Sequence, residues 1–456
     1  MKNDYARAIK LAAKVIDAWL PLKIQYDLMP ALSVGIVHNG KLVYKRGFGF
    51  ADVRSQQRAT PDTSYRIASI SKTFTSIAIM QLLEQGKLRL DDKVQKYLPW
   101  FKARTNDLDA RNITIRQVMS HTAGIFRDGN TSHWDDDKFP GVAGLRKEIS
   151  KAVVFENLTH FKYSNFGYAL LGQVISKASG INYDDYVKNN IIKRLGMTKT
   201  APDLTEQSEG WLAKGYSRII PGKERKTFNH IRTNAYASAT GFLSNVSDLA
   251  KYLGALSLKR KGADALIGRE SKKEIMRAHW ATGEGPESYG LGFKIYKIDT
   301  RKIIEHGGGF LGFITQIALD VENDIGVITL SNTNDSSASE INRGIYETIY
   351  KFVDESGKYL AGKKISNQES YAGTYRSRWN DEVVVGLDAN LISFNPQVNS
   401  PIKNGVLLKP KERDKFLIDS RFNFGYVGEY VSFAFGKNKR KAKKLVWGSS
   451  PYERIK

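Results

Sequence analysis

A serine and a lysine three residues apart stand at the start of a strongly apolar segment, and this pairing constrains the fold most. In Ser69-Ile70-Ser71-Lys72 a hydroxyl and an amine lie one helical turn apart, and residues three apart share a helix face. The following residues are apolar almost all round, which predicts a buried helix. Burial lowers the pKa of an amine toward the range of a general base. The pattern therefore predicts a serine nucleophile activated by Lys72.

The four-residue spacing alone is not specific, because Ser400-Pro-Ile-Lys403 has the same spacing without helical character. Two further motifs support the assignment to Ser69 and Lys72. Tyr163-Ser164-Asn165 precedes an apolar helical segment and predicts a phenol and an amide at a helix N-terminus. His306-Gly307-Gly308-Gly309 follows a short predicted strand, and glycines lacking Cβ let a substrate approach the backbone. Acyl transfer needs a nucleophile, a base, a proton donor and an oxyanion site, and these three segments supply all four.

Composition excludes several classes of protein. The chain has 456 residues, which predicts two or three domains, and no cysteine, which excludes disulfides and thiol chemistry. A net charge of +23 favours anionic partners, but the lysines and arginines are scattered and no nucleic-acid motif occurs, so we expect no nucleic-acid partner. No signal peptide and no apolar run of transmembrane length is found, which predicts a cytoplasmic protein without a membrane partner.

Periodicity predicts one antiparallel sheet enclosing a helical region. An amphipathic helix is expected at 5–27, and Asn39-Gly40 between alternating strands predicts a hairpin over 31–46. Strand patterns return near the end of this region. The expected later strands and closing helix are 302–305, 313–320, 325–330 and 339–352. These patterns predict an α/β (α+β) domain, with an antiparallel sheet, flanking helices and a helical subdomain.

The last part of the chain has a different pattern. Residues 354–370 are polar and predict a linker, and short strand-like runs separated by turn residues follow. Many short strands in fewer than ninety residues predict a small antiparallel β-barrel. The expected division is a catalytic domain over 1–355, a linker over 356–369 and a barrel over 370–456.

These ordered motifs, with Thr114-Ile-Arg-Gln-Val-Met-Ser-His121 between the first two, resemble the serine β-lactamase and penicillin-binding superfamily. The likeness is greatest to its class C and CubicO-type branch and covers about residues 30–350. The segment from Tyr371 to Tyr452 is similar to the lipocalin-like barrel appended to CubicO-type peptidases. The resemblance implies a β-lactamase/transpeptidase-like fold.

The resemblance also implies roles for individual residues. Ser69 would be the acylated nucleophile, Lys72 its general base, and Tyr163 the group that passes a proton to the leaving group. Asn165 would bond the substrate. Gly308 and Gly309 would lie at the oxyanion side, where the amides of Ser69 and Gly309 form the hole. No cofactor is implied.

One position departs from the pattern of penicillin-recognising relatives. His306 stands where those relatives carry a lysine, and histidine is largely neutral near pH 7. The permanent cation that would hold a substrate carboxylate is therefore weakened, although His306 remains a candidate catalytic residue. We expect β-lactams to be poor substrates, and small peptides, amides or esters to be better ones.

Two enzymatic readings and one non-enzymatic reading follow. A peptidase or amidase acting on short or D-amino-acid-containing peptides is preferred, and a carboxylesterase on the same scaffold is the alternative. A non-catalytic scaffold or binding protein would need none of Ser69, Lys72 and Tyr163. A homo-oligomer is possible, and the barrel could limit access to the cleft or drive assembly.

Each of the remaining polar segments has a functional and a structural interpretation. The other histidines show no metal-ligand spacing, so no metal is expected, and His121 is interpreted as a hydrogen-bonded structural residue. Asp135-Asp136-Asp137 could receive a substrate ammonium or form a solvated loop, and the loop is preferred. Trp211 to Thr233 could form a cleft wall or a surface excursion. Lys437 to Lys444 is expected at the tip of a barrel hairpin, with a contact in an oligomer as the alternative.

Overall fold

The computed structural model describes residues 4–101, 104–105, 108–149, 152–262, 265–283, 285–419, 426–437 and 440–456. The α-helices of this part are α1 (Tyr5–Tyr26), α2 (Ser71–Glu84), α3 (Val94–Tyr97), α4 (Ile115–Met119), α5 (Val142–Glu148), α6 (Asn165–Ser179), α7 (Tyr183–Val187), α8 (Glu206–Glu209), α9 (Val246–Leu256), α10 (Arg269–Ile275), α11 (Ala338–Asp354) and α12 (Ser356–Leu360).

The strands of the first two thirds are β1 (Ala31–His38), β2 (Lys41–Asp52), β3 (Gln57–Arg58), β4 (Tyr65–Arg66), β5 (Arg104–Thr105), β6 (Leu108–Asp109), β7 (Gly215–Tyr216), β8 (Thr227–Phe228), β9 (Leu243–Ser244), β10 (Trp280–Ala281), β11 (Ser288–Tyr289), β12 (Lys294–Ile298), β13 (Arg301–Phe310), β14 (Phe313–Asp320) and β15 (Ile325–Ser331). Those of the last third are β16 (Gly373–Arg376), β17 (Asp381–Gly386), β18 (Leu391–Phe394), β19 (Val406–Glu412), β20 (Lys415–Asp419), β21 (Tyr430–Phe435), β22 (Ala442–Trp447) and β23 (Ser450–Arg454).

A nine-stranded antiparallel sheet organises the region before residue 340. Its order is β10-β11-β12-β13-β14-β15-β1-β2-β3. The first and last long strands of the region pair directly, with Val34 opposite Thr329 and Ile36 opposite Val327. The Asn39-Gly40 hairpin joins β1 to β2 as predicted. The predicted α/β fold class, with one sheet completed by the two ends of the region, is thereby confirmed.

Helix α2 runs through the core of this region, as its all-round apolar sequence predicts. Its Phe74 ring stacks between Phe242 and Tyr252, with centroids 4.5 and 4.0 Å away. Helix α6 has its own boundary signals: the Ser164 side chain caps its N-terminus, and Gly180 ends it with φ +83°. Both helices are therefore fixed at the ends that carry Lys72 and Asn165.

The glycine motif lies within a strand, and the prediction that it follows a short strand was wrong. Strand β13 continues from Arg301 through the motif to Phe310, and Gly308 lies opposite Thr315 in the pairing with β14. Glycine has low intrinsic strand preference, so the local sequence predicts an end at residue 305. Pairing with β14 overrides that preference.

The C-terminal strands form a closed eight-stranded barrel, which confirms the predicted barrel. Its interior is filled by apolar and aromatic side chains, among them Tyr375, Phe416, Phe433 and Leu445. The sequence patterns predict seven strand-like runs, the last at 445–447, and give no eighth run at β23, which opens with Ser-Pro and lacks apolar alternation. In the segment from Lys437 to Lys444, Lys437 follows β21 and residues 442–444 open its partner strand β22, whereas residues 438–439 fall outside the described residues.

The chain divides into two compact units. One comprises Pro30–Ser339, and the other combines Met1–Met29 with Glu340–Lys456. In the second unit α1 packs on β17, and the buried Trp19 indole donates a hydrogen bond to the carbonyl of Val398. This grouping differs from the predicted division at residue 355, which stays a prediction. The predicted linker, residues 356–369, contains helix α12. Among the described helices, none has the length and apolarity needed to cross a membrane.

Candidate active site

Ser69 lies in a short 3-10 turn that leads from β4 into α2. Ala68 has φ +47°, a left-handed conformation that is strained for a residue with Cβ and typical of functional turns. The Ser71 hydroxyl fastens the turn by donating to the carbonyl of Ala68 and accepting the N–H of Phe242 at 3.0 Å. The position of the Ser69 hydroxyl is therefore fixed by its neighbours before any substrate binds.

Lys72 is fully buried and reaches the Ser69 hydroxyl, with Nζ 3.2 Å from Oγ. Its amine donates hydrogen bonds to Asn165 Oδ1 at 2.7 Å and to the carbonyl of Ala239 at 2.8 Å. Desolvation holds the pKa of Lys72 well below its ordinary value. A neutral amine has two hydrogens, which these two obligate acceptors take, so its lone pair is left facing the Ser69 hydroxyl.

Asp128 fixes the orientation of the Asn165 amide. Asn165 Nδ2 donates to Asp128 Oδ1 at 2.6 Å, and a carboxylate only accepts, so Oδ1 of the amide must face Lys72. Arg127 Nε donates to the other oxygen of Asp128 at 3.1 Å. The charge of Asp128 raises the pKa of Lys72, against the larger effect of burial, and the charge of Arg127 lowers it. The side chain of Asn165 is thus already engaged on both of its ends.

Tyr163 precedes the N-cap of α6 and faces the serine–lysine pair. Its phenol hydrogen-bonds Ser69, and its ring centroid lies 4.8 Å from Lys72 Nζ and 5.4 Å from the guanidinium carbon of Arg127. Desolvation raises the pKa of Tyr163, an effect larger than the opposing effects of Ser69 and Arg127. The phenol therefore keeps its proton at neutral pH and is able to donate it.

His121 contacts the segment that carries Tyr163 and holds its backbone in place. Its Nδ1 accepts the backbone N–H of Ser164 at 3.1 Å, and its ring centroid lies 4.3 Å from that of Tyr163. Desolvation holds the pKa of this buried imidazole well below 6.5, with a further lowering by Lys72. An accepting Nδ1 requires the proton on Nε2. The predicted hydrogen-bonded role of His121 is confirmed.

The glycine strand comes close to the turn that carries Ser69. A Cβ added at Gly308 would lie 2.1 Å from the carbonyl oxygen of Ile67, whereas one at Gly309 would meet its nearest atom at 3.6 Å. Gly308 is buried and Gly309 is exposed. Only a residue without a side chain permits this approach of β13 to the backbone before Ser69.

His306 is a buried residue of this strand, and both of its ring nitrogens have partners. Nδ1 donates to the carbonyl of Gly307 at 2.7 Å, so Nε2 accepts from the Tyr289 hydroxyl at 3.0 Å. Desolvation, with a further contribution from Lys72, lowers the pKa of His306 to about 3. The ring centroids of His306 and Tyr163 are 6.4 Å apart. His306 is therefore a neutral, anchored group and not a cation for a substrate carboxylate.

The structure brings the predicted site residues together. Ser69, Lys72, Tyr163 and Asn165 are in contact, and β13 carries Gly308 beside them. Within the described ranges no group of three acidic or histidine side chains could hold a metal ion. Asp135-Asp136-Asp137 lies in an exposed loop, where Asp136 accepts from Ser132. Residues 211–233 contain the short hairpin β7–β8.

Sequence reasoning missed three contributors: Arg127, Asp128 and Tyr289. Arg127 and Asp128 lie in a loop without periodicity, six and seven residues after His121. Tyr289 lies on β11, a two-residue strand too short for any pattern. The only signal was the position of the acidic and basic pair between two recognised motifs. A pair of charges in such a loop is usually solvent-exposed, so the sequence gave no reason to assign Arg127 and Asp128 to the candidate site.

A sheet flanked by helices, with a serine–lysine pair at the head of a buried helix, defines the class of serine acyl transferases and hydrolases. Residues 24–349 match the family model described as Beta-lactamase, and the chain belongs to that family.

The chain is similar to a curated protein and to two solved structures. "Protein flp" of Staphylococcus aureus (strain COL) is 27% identical over 396 residues, covering 83% of this chain and 73% of that protein. The octameric penicillin-binding protein homologue from Pyrococcus abyssi aligns with a TM-score of 0.64 and 25% identity, covering 96% of this chain and 99% of that one. EstCE1, a hydrolase with promiscuous acyltransferase activity, aligns with a TM-score of 0.64 and 21% identity, covering 75% and 99%.

Proposed function

We propose that this protein hydrolyses small peptides or amides through an acyl-enzyme on Ser69. The observation that carries the proposal is the position of Lys72 Nζ, 3.2 Å from Ser69 Oγ and bonded to two carbonyl acceptors. In a neutral amine these two acceptors take both hydrogens, so the lone pair faces the Ser69 hydroxyl. Lys72 takes the serine proton as Oγ attacks the substrate carbonyl. The backbone amides of Ser69 and Gly309 are proposed to hold the oxyanion, where one such donor contributes about 3 kcal/mol.

Collapse of the intermediate needs a proton for the leaving group. Tyr163 bonds Ser69 and keeps its proton near neutral pH, so it protonates the departing nitrogen or oxygen and regains a proton from Lys72. Water then attacks the acyl carbon, a proton returns to Ser69, and the acid product leaves. Asn165 acts on Lys72 in this scheme rather than on the substrate alone, because both ends of its amide are already bonded.

The choice of a peptidase or amidase rests on likeness. One similar structure is a penicillin-binding protein homologue and covers nearly the whole of both chains. A carboxylesterase is the second candidate, since EstCE1 shares the fold and esters are easier to acylate. The octameric state of the first neighbour supports a homo-oligomer as part of the proposal. No cofactor enters these steps.

A fluorophosphonate probe tests the central assignment. We expect one adduct per chain, mapped by peptide mass spectrometry to Ser69, and no adduct in Ser69→Ala. The absence of labelling in the folded wild-type protein would support a non-catalytic scaffold instead. Rates on matched p-nitroanilides and p-nitrophenyl esters then separate the amidase from the esterase reading.

Nitrocefin tests the substrate class. His306 is neutral and bonded on both nitrogens, so position 306 supplies no cation for the β-lactam carboxylate. We expect nitrocefin turnover to be far slower than turnover of the best linear substrate. Efficient nitrocefin hydrolysis by the purified protein would contradict this part of the proposal.

A further inference from the structure

A permanent cation lies at the rim of the site on an element that the motif pattern does not include. The Arg127 side chain is 64% exposed, and its guanidinium carbon lies 5.4 Å from the centroid of the Tyr163 ring. Its backbone is fixed, because its carbonyl accepts the N–H groups of Asn165 at 2.8 Å and Phe166 at 3.0 Å. The backbone of Arg127 is therefore anchored at the first turn of α6, and its guanidinium is open to solvent.

The other basic groups around Tyr163 are poorly suited to hold an anion. Lys72 is buried with its hydrogens given to Asn165 and Ala239, and His306 is held neutral between Tyr289 and Gly307. Arg127 uses only Nε for Asp128, and its terminal nitrogens find no partner among the residues that the structure describes. A guanidinium with open terminal nitrogens matches a carboxylate in a bidentate manner.

The position of Arg127 indicates which end of the substrate it serves. Tyr163 is the group proposed to protonate the leaving group, and the guanidinium lies against the ring of that same residue. We propose that Arg127 is a specificity-determining residue that binds a carboxylate on the leaving-group side of the substrate, such as the C-terminal carboxylate of a short peptide. This inference rests on the proposed acyl transfer at Ser69.

The location of the cation leads to the same expectation of slow β-lactam turnover. Arg127 comes from the loop between α4 and α5, whereas the missing lysine would have come from β13. A bicyclic β-lactam fixes the direction from its carbonyl to its carboxylate. A linear substrate can rotate its carboxylate toward the loop, so the inference favours flexible acyl donors with a free acid end.

Two substrates that differ in one group test the inference. Both are esters with the same acyl part and a 2-hydroxy acid leaving group, one with a free carboxylate and the other with a carboxamide. The quantity measured is the ratio of kcat/KM for the carboxylate to kcat/KM for the carboxamide. We expect this ratio to fall about 10- to 100-fold in Arg127→Gln, the size of effect seen when a charged hydrogen bond is lost.

Conservative and distant variants make the result specific. Arg127→Lys is expected to retain part of the ratio, because a lysine keeps the charge without the bidentate geometry. Arg277→Gln is the matched control, since Arg277 is 62% exposed and ion-paired with Glu274, and it should leave the ratio and the activity unchanged. Added salt should reduce the wild-type ratio, since the cation is exposed.

The outcomes separate this inference from the proposed function. An unchanged ratio in Arg127→Gln would overturn the inference, even if both rates fell together, because an equal fall indicates an effect on Lys72 or Tyr163 alone. Retained turnover of both esters in Ser69→Ala would overturn the proposed function instead. A fall in the carboxylate-to-carboxamide ratio of kcat/KM in Arg127→Gln, together with an inactive Ser69→Ala, supports both the inference and the proposed function.

Discussion

At the scale of residues, the chemistry depends on how one lysine is held, and the motif reveals only part of it. The spacing of Ser69 and Lys72 predicts their contact, and the apolar helix predicts the desolvation that lowers the pKa of Lys72. The acceptors of Lys72 come from Asn165 and Ala239, far away in the chain. Asp128, which orients Asn165, lies in an aperiodic loop. Such partners become visible only once the fold brings them together, so spacing rules cannot find them.

The substitution Asp128→Asn tests this arrangement. The carboxylate of Asp128 raises the pKa of Lys72, so its removal lowers that pKa further. A base acts only when deprotonated, so the acidic limb of the kcat/KM–pH profile should move to lower pH. The rate on the plateau should fall as well, because the Asn165 amide is free to flip.

The pH profile distinguishes this role from a merely structural one. Asp136→Asn, in the exposed loop, is the control and should leave the limb in place. A limb that stays fixed in Asp128→Asn, or moves to higher pH, would show that Asp128 does not act on the base.

A second residue-scale prediction concerns His306 and acid stability. Burial lowers its pKa to about 3, whereas the unfolded side chain has a pKa of about 6.5. Between these values the unfolded state binds a proton and the folded state does not, so stability is lost as pH falls through this window. One such group accounts for about 1.4 kcal/mol of unfolding free energy per pH unit.

Urea unfolding at several pH values between 7 and 5 measures the slope. We expect His306→Gln to flatten the dependence of the unfolding free energy on pH, and His160→Gln, at an exposed position, to leave it unchanged. An identical slope in wild-type protein and His306→Gln would mean that His306 titrates normally in the folded state.

At the scale of elements, the sequence predicts the helices better than the glycine strand. Helix α6 carries an N-cap serine and a C-terminal glycine, so local residues set both of its ends. Strand β13 runs through three glycines that have no strand preference of their own, and its extent depends on pairing with β14. Long-range pairing is the term that local patterns lack.

Alanine substitutions at adjacent glycines test why β13 needs them. Gly308→Ala would place a Cβ 2.1 Å from the Ile67 carbonyl, so β13 must move away from the turn of Ser69. Such overpacking costs about 1–3 kcal/mol of unfolding free energy.

The adjacent glycine provides the control. Gly309→Ala meets its nearest atom at 3.6 Å and should change the free energy by less than about 0.5 kcal/mol. Denaturant unfolding of both variants gives the comparison. Equal stability of the two variants would indicate that the approach of Gly308 to Ile67 is looser than the structure shows.

At the scale of the whole molecule, the sequence predicts the antiparallel sheet and the barrel. It does not show which of the two cores helix α1 joins. The predicted division placed residues 1–355 together, whereas the structure groups Met1–Met29 with Glu340–Lys456. The sequence of an amphipathic helix predicts that one face is buried, but it does not identify the surface against which that face packs. Trp19 donates to Val398, a contact that spans most of the chain and leaves no local signal.

The substitution Trp19→Ala tests this grouping. Trp19 is fully buried, and removal of a buried tryptophan costs about 3–5 kcal/mol. We expect the unit that contains the barrel to melt at lower temperature and to be cleaved faster by protease, with fragments that begin in residues 340–456.

Trp379→Ala, in the same unit but 88% exposed, is the matched control and should change the unfolding free energy by less than about 0.5 kcal/mol. Equal melting temperatures for the two variants would place α1 outside the barrel-containing unit.

The most direct measurement for the central claim is the capture of the acyl-enzyme itself. Wild-type protein is mixed with p-nitrophenyl acetate, quenched in acid within the first turnovers, digested and mapped by mass spectrometry. The account predicts one acetyl group, carried by the peptide that contains Ser69, and slower acetylation when Lys72 is replaced by methionine. An acetyl group on any other residue, or undiminished ester turnover in Ser69→Ala, would contradict it.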